Sequence, residues 1–344
     1  MTIAHDDLRT AGDPSSPGVA TMTMAAALNR ALADAIASDP DVVVFGEDVG
    51  ALGGVFRVTD GLTARFGESR CFDTPLAESG IVGTAVGMAM NGLRPVVEMQ
   101  FDAFALPGFE QIVSHVAKMA NRTRGTVRMP MVIRIPFGGG IGGVEHHCDS
   151  SEAYYAHTPG LTVVSPSTPQ DAYSLLRAAI ASPDPVVFLE PKKLYWSKGA
   201  VDTSVAADIG SARIVRDGGD VTLLAYGASV PLALEAAEVA ASEGRSVQVV
   251  DVRSLSPFDD VTVTAAVKST GRAVVIAEAP GFASVASEIQ ARVFERCFEY
   301  LEAPVRRVTG FDVPYAPPKL EHFYQPDVDR VLDAIDGLHW EDDA

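Results

Sequence analysis

Apolar positions recur along this chain with two periods, one typical of helices and one typical of strands. Near the beginning they are spaced by four residues, at Met24, Leu28, Leu32 and Ile36, which predicts an amphipathic helix over residues 24–37. Pro40 ends this pattern, and residues 42–45 form an unbroken apolar run, as in strands buried on both faces. Because such patterns alternate over most of the chain, we predict an α/β fold with a parallel sheet covered by helices on both faces.

Two groups of predicted elements are separated by a segment without periodicity. In the first group, helices are predicted over residues 24–37, 59–66, 80–91, 108–121, 151–156 and 169–181, and strands over 42–45, 71–72, 95–99, 131–135, 161–164 and 186–189. The second group has strands over 221–226, 247–252, 273–277 and 305–308, and helices over 230–241, 260–268 and 284–298. We therefore expect a mobile N-terminal tail over 1–22, a domain over 23–195, a linker over 196–210 and a second domain over 211–344.

Composition and charge narrow the class of protein. Of the 344 residues, 47% are apolar and 21% are charged, as in a globular rather than a disordered chain. The formal charge of −18 disfavours nucleic acid as a partner. No run approaches the ~20 apolar residues of a membrane span, and no targeting peptide is recognisable. Three scattered cysteines fit a reduced compartment, so we expect a cytoplasmic protein of bacterial type.

Two predicted strand ends carry side chains that could take part in ligand binding. Parallel sheets bind ligands beyond the carboxyl ends of their strands, and Glu78 lies between a predicted strand and a predicted helix. An alternative role for this carboxylate is to stabilise the positive end of that helix. After the strand over 95–99, Phe101 and Phe104 could stack on a flat heterocycle or could simply belong to the core.

A glycine-rich segment follows the strand over 131–135. Residues 138–143 satisfy the GxGxxG pattern formally, but no helix opens at the last glycine and no acidic residue ends a strand about 20 residues later, so we expect no dinucleotide site. The segment leads to Glu145-His146-His147-Cys148-Asp149, whose spacing matches no common zinc site. One histidine could serve as a general acid or base, because imidazole titrates near neutrality, or it could be a solvated loop residue.

From about Thr23 to its end, the chain resembles a known family. The family comprises the beta subunits of the thiamine-diphosphate-dependent decarboxylating component of 2-oxo acid dehydrogenase complexes. The segments that carry the resemblance are Val44-Phe45-Gly46-Glu47-Asp48-Val49, Gly54-Val55-Phe56-Arg57, Asp73-Thr74-Pro75-Leu76-Ala77-Glu78, Gly92-Leu93-Arg94-Pro95, Glu98-Met99-Gln100-Phe101, His146-His147, Val164-Ser165-Pro166, Glu190-Pro191-Lys192 and Leu301-Glu302-Ala303-Pro304. Their joint order and spacing make the resemblance specific.

The resemblance implies a pyrimidine-binding domain followed by a transketolase-type C-terminal domain. It also implies a heterotetramer of two alpha and two beta chains, with thiamine diphosphate at the alpha–beta interface. In the family, the alpha subunit binds the diphosphate through magnesium with a Gly-Asp-Gly…Asn motif. This sequence contains no Gly-Asp-Gly, so we expect activity only together with an alpha subunit. The expected reaction decarboxylates a 2-oxo acid and acylates the lipoyl group of an acyltransferase component.

The resemblance also assigns roles to individual residues. Glu78 is expected to bind the aminopyrimidine of thiamine diphosphate and to promote loss of the proton at C2, with Leu76 and Phe104 also binding the cofactor. His147 is the expected active-site histidine in transfer to the lipoyl group. Some members hold a structural potassium ion, and the matching positions here are Met131, Ala179, Ile180, Ser182 and Asp184.

Alternatives and partners remain open at the level of the sequence. A single-chain enzyme of the transketolase type would need a diphosphate-binding half, for which there is no room before Thr23. A non-catalytic binding module is the second alternative. The segments around Gly54 and Glu98 favour branched-chain 2-oxo acids over pyruvate, and an acetoin-cleaving enzyme is a further possibility. The resemblance further implies docking to the acyltransferase's subunit-binding domain. The acidic residues near the end of the chain could guide this docking or could only keep the surface soluble: Glu321, Asp327, Asp329, Asp333, Asp336, Glu341, Asp342 and Asp343.

Overall fold

In a computed structural model of the chain, residues 18–338 and 340 are described. The first half contains eight strands: β1 Val19–Thr23, β2 Val42–Gly46, β3 Cys71–Asp73, β4 Arg94–Glu98, β5 Val132–Phe137, β6 Thr162–Val164, β7 Val186–Pro191 and β8 Lys198–Asp202. Its helices are α1 Met24–Ser38, α2 Leu62–Phe66, α3 Glu78–Met90, α4 Leu106–Gln111, α5 Met119–Arg122, α6 Glu152–Ala156 and α7 Pro169–Ala181.

The second half adds strands β9 Arg213–Arg216, β10 Val221–Ala225, β11 Val247–Asp251, β12 Ser254–Ser256, β13 Ala273–Pro280 and β14 Arg306–Gly310. Its helices are α8 Ser229–Ser242, α9 Asp260–Thr270, α10 Val285–Cys297, α11 Glu321–Tyr324 and α12 Val328–Asp336. Within the described residues, no helix is long and apolar enough to cross a membrane.

Two sheets form the centre of the molecule. The first has seven strands in the order β12-β6-β7-β5-β4-β2-β3, and all neighbours are parallel except β12, which runs antiparallel to β6. The second has five strands in the order β14-β13-β10-β11-β9, with only β9 antiparallel. The predicted α/β fold with largely parallel sheets is therefore confirmed.

The unbroken apolar strands arise because both faces of the first sheet are covered. In β2, Val42 and Val44 belong to the core beneath α1 and α7, while Val43 and Phe45 belong to the core on the opposite face. That second core continues into the other sheet through residues such as Leu224. One apolar cluster thus joins the two sheets into a single body.

Two segments that were predicted to lack regular structure contain strands. Val19–Thr23, placed in the predicted tail, form β1, which pairs antiparallel with β8 inside the predicted linker. Backbone pairing between two chain segments far apart in sequence is invisible to a local pattern, and the side chains of β1 are partly exposed, which weakens the apolar signal. Residues 1–17 of the predicted tail, and the acidic residues 341–343, lie outside the described residues.

The helix predicted over 108–121 is interrupted. Its first part is α4, and a π-helical turn over Ile112–Val116 separates this part from α5. The wide turn is marked by a hydrogen bond from Ala117 N to Ile112 O at 2.9 Å. Ile112 and Val116, at the two ends of this turn, are both buried in the core.

Candidate active site

The carboxyl ends of β2, β3 and β4 meet at one edge of the first sheet. Glu47 follows β2, and Glu98 ends β4. Glu78 is the first residue of α3, where it occupies the positive end of the helix. Only 8% of Glu78 is exposed. The structure therefore places the predicted Glu78 at the ligand-binding edge of a parallel sheet.

Glu47 is a second carboxylate at this edge that the sequence analysis did not single out as a site residue. It is buried, and its Oε1 has no hydrogen-bond partner among the described residues. Burial raises the pKa of the Glu47 carboxyl, and the neighbouring charges of Glu78 and Asp48 raise it further. Burial and the neighbouring negative charges therefore both favour the protonated form of Glu47 relative to a free carboxyl group.

An aromatic cluster lies at the same edge. The ring of His147 contacts that of Phe101 edge-on at 4.4 Å between centroids and that of Phe104 at 5.3 Å. The ring of His146 stacks on Phe104 at 5.9 Å. The structure therefore brings together Phe104 and His147, two residues that the sequence places more than 40 positions apart.

His147 carries an imidazole that is biased toward its neutral form. Partial burial lowers its pKa, and the nearby positive charges of His146 and Lys192 lower it further. A neutral imidazole can accept a proton at one ring nitrogen and donate one from the other. The residue is consequently suited to proton transfer or to hydrogen bonding with an anionic group near neutral pH.

Helix packing joins the carboxylate and aromatic parts of the site. Ser79 Oγ donates a hydrogen bond to Pro107 O at 2.5 Å, and a Cβ on Gly108 would lie 3.2 Å from the carbonyl oxygen of Glu78. A larger residue at this position would therefore require α3 and the beginning of α4 to move slightly apart. The helix that starts with Glu78 and the segment that follows Phe104 are thereby held side by side.

The residues at this edge fit an aminopyrimidine cofactor. Glu78 offers a carboxylate for hydrogen bonding, and the buried Oε1 of Glu47 has no hydrogen-bond partner among residues 18–338 and 340. Leu76 is 78% exposed, so its side chain is open to a ligand or partner, and Phe104 presents an aromatic ring. A cavity of ≈ 1300 Å³ lies between the two sheets, but neither Glu78 nor His147 lines it.

The histidine-bearing loop is anchored at its far end by a buried charge. Asp102 accepts hydrogen bonds from both the backbone N–H (3.0 Å) and the hydroxyl of Ser151. Burial raises the pKa of Asp102 to about 7, partly offset by these hydrogen bonds and by the charge of Lys192. Neither Asp102 nor Lys192 was recognised as a site residue, although Lys192 belongs to the quoted segment Glu190-Pro191-Lys192.

The expected potassium positions already take part in hydrogen bonds and an ion pair within the chain. Arg94 Nη1 donates to the carbonyl oxygens of Ile180 at 3.1 Å and Ser182 at 3.2 Å. Asp184 forms an ion pair with Arg128 at 2.8 Å, and its carbonyl oxygen accepts from Ser182 Oγ. The other two expected ligands are Met131, whose carbonyl oxygen accepts from Val186 N, and Ala179, whose carbonyl oxygen accepts from Ser182 N. The Arg94 guanidinium thus donates to two of the five positions, Ile180 and Ser182, and potassium binding stays a prediction.

No other metal centre is evident. Among residues 18–338 and 340, no group of three or more His, Cys, Asp or Glu side chains is placed to hold a metal ion. His146 and His147 are adjacent in a short 3₁₀ helix, and their rings are in contact with aromatic rings rather than with further ligands.

Comparison with known proteins agrees with this architecture. Residues 20–197 match the family model for the transketolase pyrimidine binding domain, and residues 210–331 match that for the transketolase C-terminal domain. The fold is similar to a solved "split gene transketolase, inactive beta4 tetramer", with a TM-score of 0.76 and 22% identity over 92% of this chain and 98% of the other.

Similarity to curated proteins is much higher. The chain is 58% identical to pyruvate dehydrogenase E1 component subunit beta of Leifsonia xyli subsp. xyli, over 93% of this chain and 95% of the relative. It is 54% identical to 3-methyl-2-oxobutanoate dehydrogenase subunit beta of Mycobacterium tuberculosis, over 92% of each chain. The chain therefore belongs to the family of E1 beta subunits of 2-oxo acid dehydrogenases, in which a transketolase-type pyrimidine-binding domain precedes a transketolase-type C-terminal domain.

Proposed function

We propose that this chain is the beta subunit of an enzyme that decarboxylates a 2-oxo acid on thiamine diphosphate and acylates the lipoyl group of an acyltransferase component. The observation that carries the proposal is the pair of carboxylates Glu47 and Glu78 at the carboxyl edge of the first sheet, with an unpartnered oxygen on Glu47. The family membership supports the same function. Docking to the lipoyl and subunit-binding domains of the acyltransferase is part of the proposal.

In this function Glu78 binds the pyrimidine ring and governs its protonation. When bound, thiamine diphosphate supplies the carbon nucleophile and the electron sink for decarboxylation. The carboxylate of Glu78 would hydrogen-bond a ring nitrogen, with Leu76 and Phe104 as apolar surfaces around the cofactor. Glu47 stabilises a proton next to Glu78, because the two negative charges repel.

His147 acts in the transfer step. A ring nitrogen of the neutral imidazole would hold a proton close to the atom on which charge develops when the acyl group is transferred to the lipoyl sulfur. The rings of Phe101 and Phe104 fix the orientation of the imidazole and exclude water from two of its sides. A decarboxylation step that needs no acyl acceptor should depend less on this residue.

The chain requires an alpha subunit in this proposal. It carries no Gly-Asp-Gly motif, so magnesium and the diphosphate would be bound by the alpha chain. We propose the assembly of two alpha and two beta chains.

Two classes of 2-oxo acid are candidate substrates. The segments Gly54-Val55-Phe56-Arg57 and Glu98-Met99-Gln100-Phe101 favour branched-chain 2-oxo acids. Pyruvate is the second candidate, because one relative at 58% identity is named a pyruvate dehydrogenase subunit. Steady-state kinetics of the reconstituted alpha–beta enzyme with pyruvate and with 3-methyl-2-oxobutanoate decide between them through the ratio of the two kcat/KM values.

The variant Glu78→Gln tests the catalytic part. In the reconstituted enzyme we expect exchange of the cofactor's C2 proton to slow by ~10²–10⁴-fold, the range of general acid–base catalysis, because an amide cannot share a proton with the pyrimidine in the same way. The matched control is Glu68→Gln, which neutralises an exposed acid in the same domain. Exchange at the wild-type rate in a folded, cofactor-loaded Glu78→Gln enzyme would exclude the assigned role.

A further inference from the structure

A carboxylate from the C-terminal half of the chain binds the glycine-rich loop that leads to the histidines. Glu321, the first residue of α11, accepts hydrogen bonds from the backbone N–H of Gly140 at 2.8 Å and of Gly142 at 3.2 Å. Tyr315 donates its hydroxyl to the same carboxylate at 2.8 Å. Hydrogen bonds to an ionised acceptor are roughly twice as strong as neutral ones, so these contacts tie the loop to a segment about 180 residues away.

Two glycines of this loop lie in close contact with residues from the second half of the chain. A Cβ on Gly139 would overlap the hydroxyl of Tyr315 and would lie 2.5 Å from Gln325 Nε2. A Cβ on Gly138 would lie 2.6 Å from Glu278 Oε2. A Cβ at either position would therefore require the side chains of Glu278, Tyr315 or Gln325 to shift, so the loop lies in close contact with these residues.

Further hydrogen bonds hold the C-terminal side of this contact in place. Gln325 Nε2 donates to Glu278 Oε1 and to Tyr315 Oη, each at 3.0 Å. Lys193 Nζ, which follows β7, donates to Gln325 Oε1 at 3.3 Å. Tyr315 is therefore fixed from two directions, and Glu321 meets the loop as part of a connected network.

Two simpler interpretations fit less well. If the loop bound a phosphate, its N–H groups would be free, yet two of them already donate to Glu321. If Glu321 were only a solvated surface acid or a docking residue for a basic partner, it would not accept three hydrogen bonds from within the chain. Its carboxylate has a function inside the molecule.

We propose that Glu321 is a positioning residue that holds the histidine-bearing loop closed against the C-terminal segment. The loop is anchored at its far end where Asp102 binds Ser151, and at its near end by Glu321. Between these anchors lies His147, against Phe101 and Phe104. The inference rests on the proposed role of His147 in acyl transfer, because Glu321 acts on the reaction only through the placement of that imidazole.

The first experiment measures the loop directly and needs no activity. Hydrogen exchange of residues 138–148 is followed in the full chain for wild type, Glu321→Gln and Asp329→Asn. Glutamine keeps the shape but places an NH₂ group against one of the two glycine donors. Since each lost hydrogen bond to a charged group corresponds to ~1.5–3 kcal/mol, we expect exchange to accelerate about 10- to 100-fold. Asp329 is exposed on α12, and its variant should exchange like wild type.

The second experiment separates positioning from general damage. In the reconstituted alpha–beta enzyme, Glu321→Gln should slow acylation of the lipoyl domain more than decarboxylation measured with an artificial electron acceptor. In the His147→Ala background, Glu321→Gln should cause no further loss of acylation, because the imidazole it places is gone. Tyr315→Phe, which removes one donor to Glu321, should show a smaller change in the same direction.

The outcomes distinguish this inference from the proposed function. Unchanged exchange in Glu321→Gln overturns the closed-loop contact, whatever the kinetics show. If hydrogen exchange is faster in Glu321→Gln but the Glu321→Gln, His147→Ala double variant loses more acylation activity than His147→Ala alone, Glu321 does not act through His147. If His147→Ala itself retains full acylation, the proposed function of that residue is wrong, and the loop contact is then judged by exchange alone.

Discussion

Two clusters of buried charge lie in the first domain, and they are organised in opposite ways. In one cluster, Arg134 is fully buried at the centre of β5 and donates to both oxygens of Glu190 at 2.7 and 2.9 Å and to Glu98 at 2.6 Å. Tyr195 adds a hydroxyl hydrogen bond to Glu190 at 2.6 Å. The positive charge of Arg134 thus lies between two negative charges, and each of its three nitrogens donates a hydrogen bond to a carboxylate.

The other cluster surrounds Lys192 and is incomplete. Only 1% of Lys192 is exposed, and its Nζ has no hydrogen-bond partner within the described part of the chain. Burial lowers its pKa to about 8, although the negative charge of Asp102 acts in the opposite direction. Asp102 in turn has a pKa raised by burial to about 7. Both groups therefore change charge near physiological pH.

The two clusters differ in function: the charges around Arg134 are structural, whereas the charge state of the cluster around Lys192 can change. The Arg134 cluster lies in the middle of the sheet, where complete pairing compensates the cost of burial. The Lys192 cluster lies at the carboxyl edge, behind the loop that carries His147, where Asp102 anchors Ser151. Because the pairing of Lys192 and Asp102 is incomplete, their charge states can respond to pH and to bound ligands.

The largest effect is expected for Arg134→Met. The variant leaves the carboxylates of Glu98 and Glu190 buried without a cation, and we expect the free energy of unfolding to fall by ~3–5 kcal/mol. Denaturant unfolding of the full chain measures it. The control is Arg128→Met, which breaks an exposed ion pair with Asp184 and should cost at most ~1 kcal/mol. Equal losses in both variants would show that the Arg134 cluster contributes nothing special.

A pH effect of intermediate size is expected for Asp102→Asn. The folded pKa of Asp102, about 7, lies above its unfolded value of about 3.9. The folded chain therefore binds more protons between these values, and wild-type stability should fall as pH rises from about 4 to about 7.

The measurement compares unfolding curves across this pH range. In Asp102→Asn the decline should be shallower, whereas Asp41→Asn, a change at an exposed acid, should leave it as in wild type. An identical pH dependence in wild type and Asp102→Asn would mean that the carboxyl titrates normally and that the contrast between the two clusters does not hold.

The smallest effect is expected for Lys192→Met at pH 6. Asp102 is then largely protonated, and the lysine Nζ gives up no hydrogen bond, so stability should stay within ~1 kcal/mol of wild type. At pH 8 the loss should be larger, since Asp102 is ionised and loses its neighbouring cation. If Lys192→Met at pH 6 lowers the free energy of unfolding as much as Arg134→Met does, Lys192 has a bonding partner and the two clusters do not differ.

Local sequence patterns predicted the elements of the core well. The run at 42–45 and the helix over 169–181 correspond closely to β2 and α7, because burial on two faces or on one face dictates the apolar period. The pattern did not reveal β1, β8 or β12. These short strands pair with partners far away in sequence, and their side chains carry no distinct period.

For the site, the sequence supplied the residue types but not their neighbours. Positions after predicted strands made Glu78 and Phe104 candidates, chemistry suggested one of the two adjacent histidines, and the family resemblance selected His147 and assigned the roles of all three. The burial of Glu47 beside Glu78 depends on the packing of two strand ends, which no local pattern encodes. The glycine-rich loop suggested conformational freedom, yet three of its neighbours come from beyond residue 270: Glu278, Tyr315 and Gln325.

The pairing of β12 with β6 bears on how the protein can be divided. A fragment that ends near residue 197 would leave the edge of β6 uncovered, although Val163 and Val164 are fully buried in the whole chain. An open, apolar strand edge is a template for association with other chains. Separate expression of the first half should therefore yield aggregates, and a hybrid of two relatives should be joined beyond β12 rather than at the boundary between the two sheets.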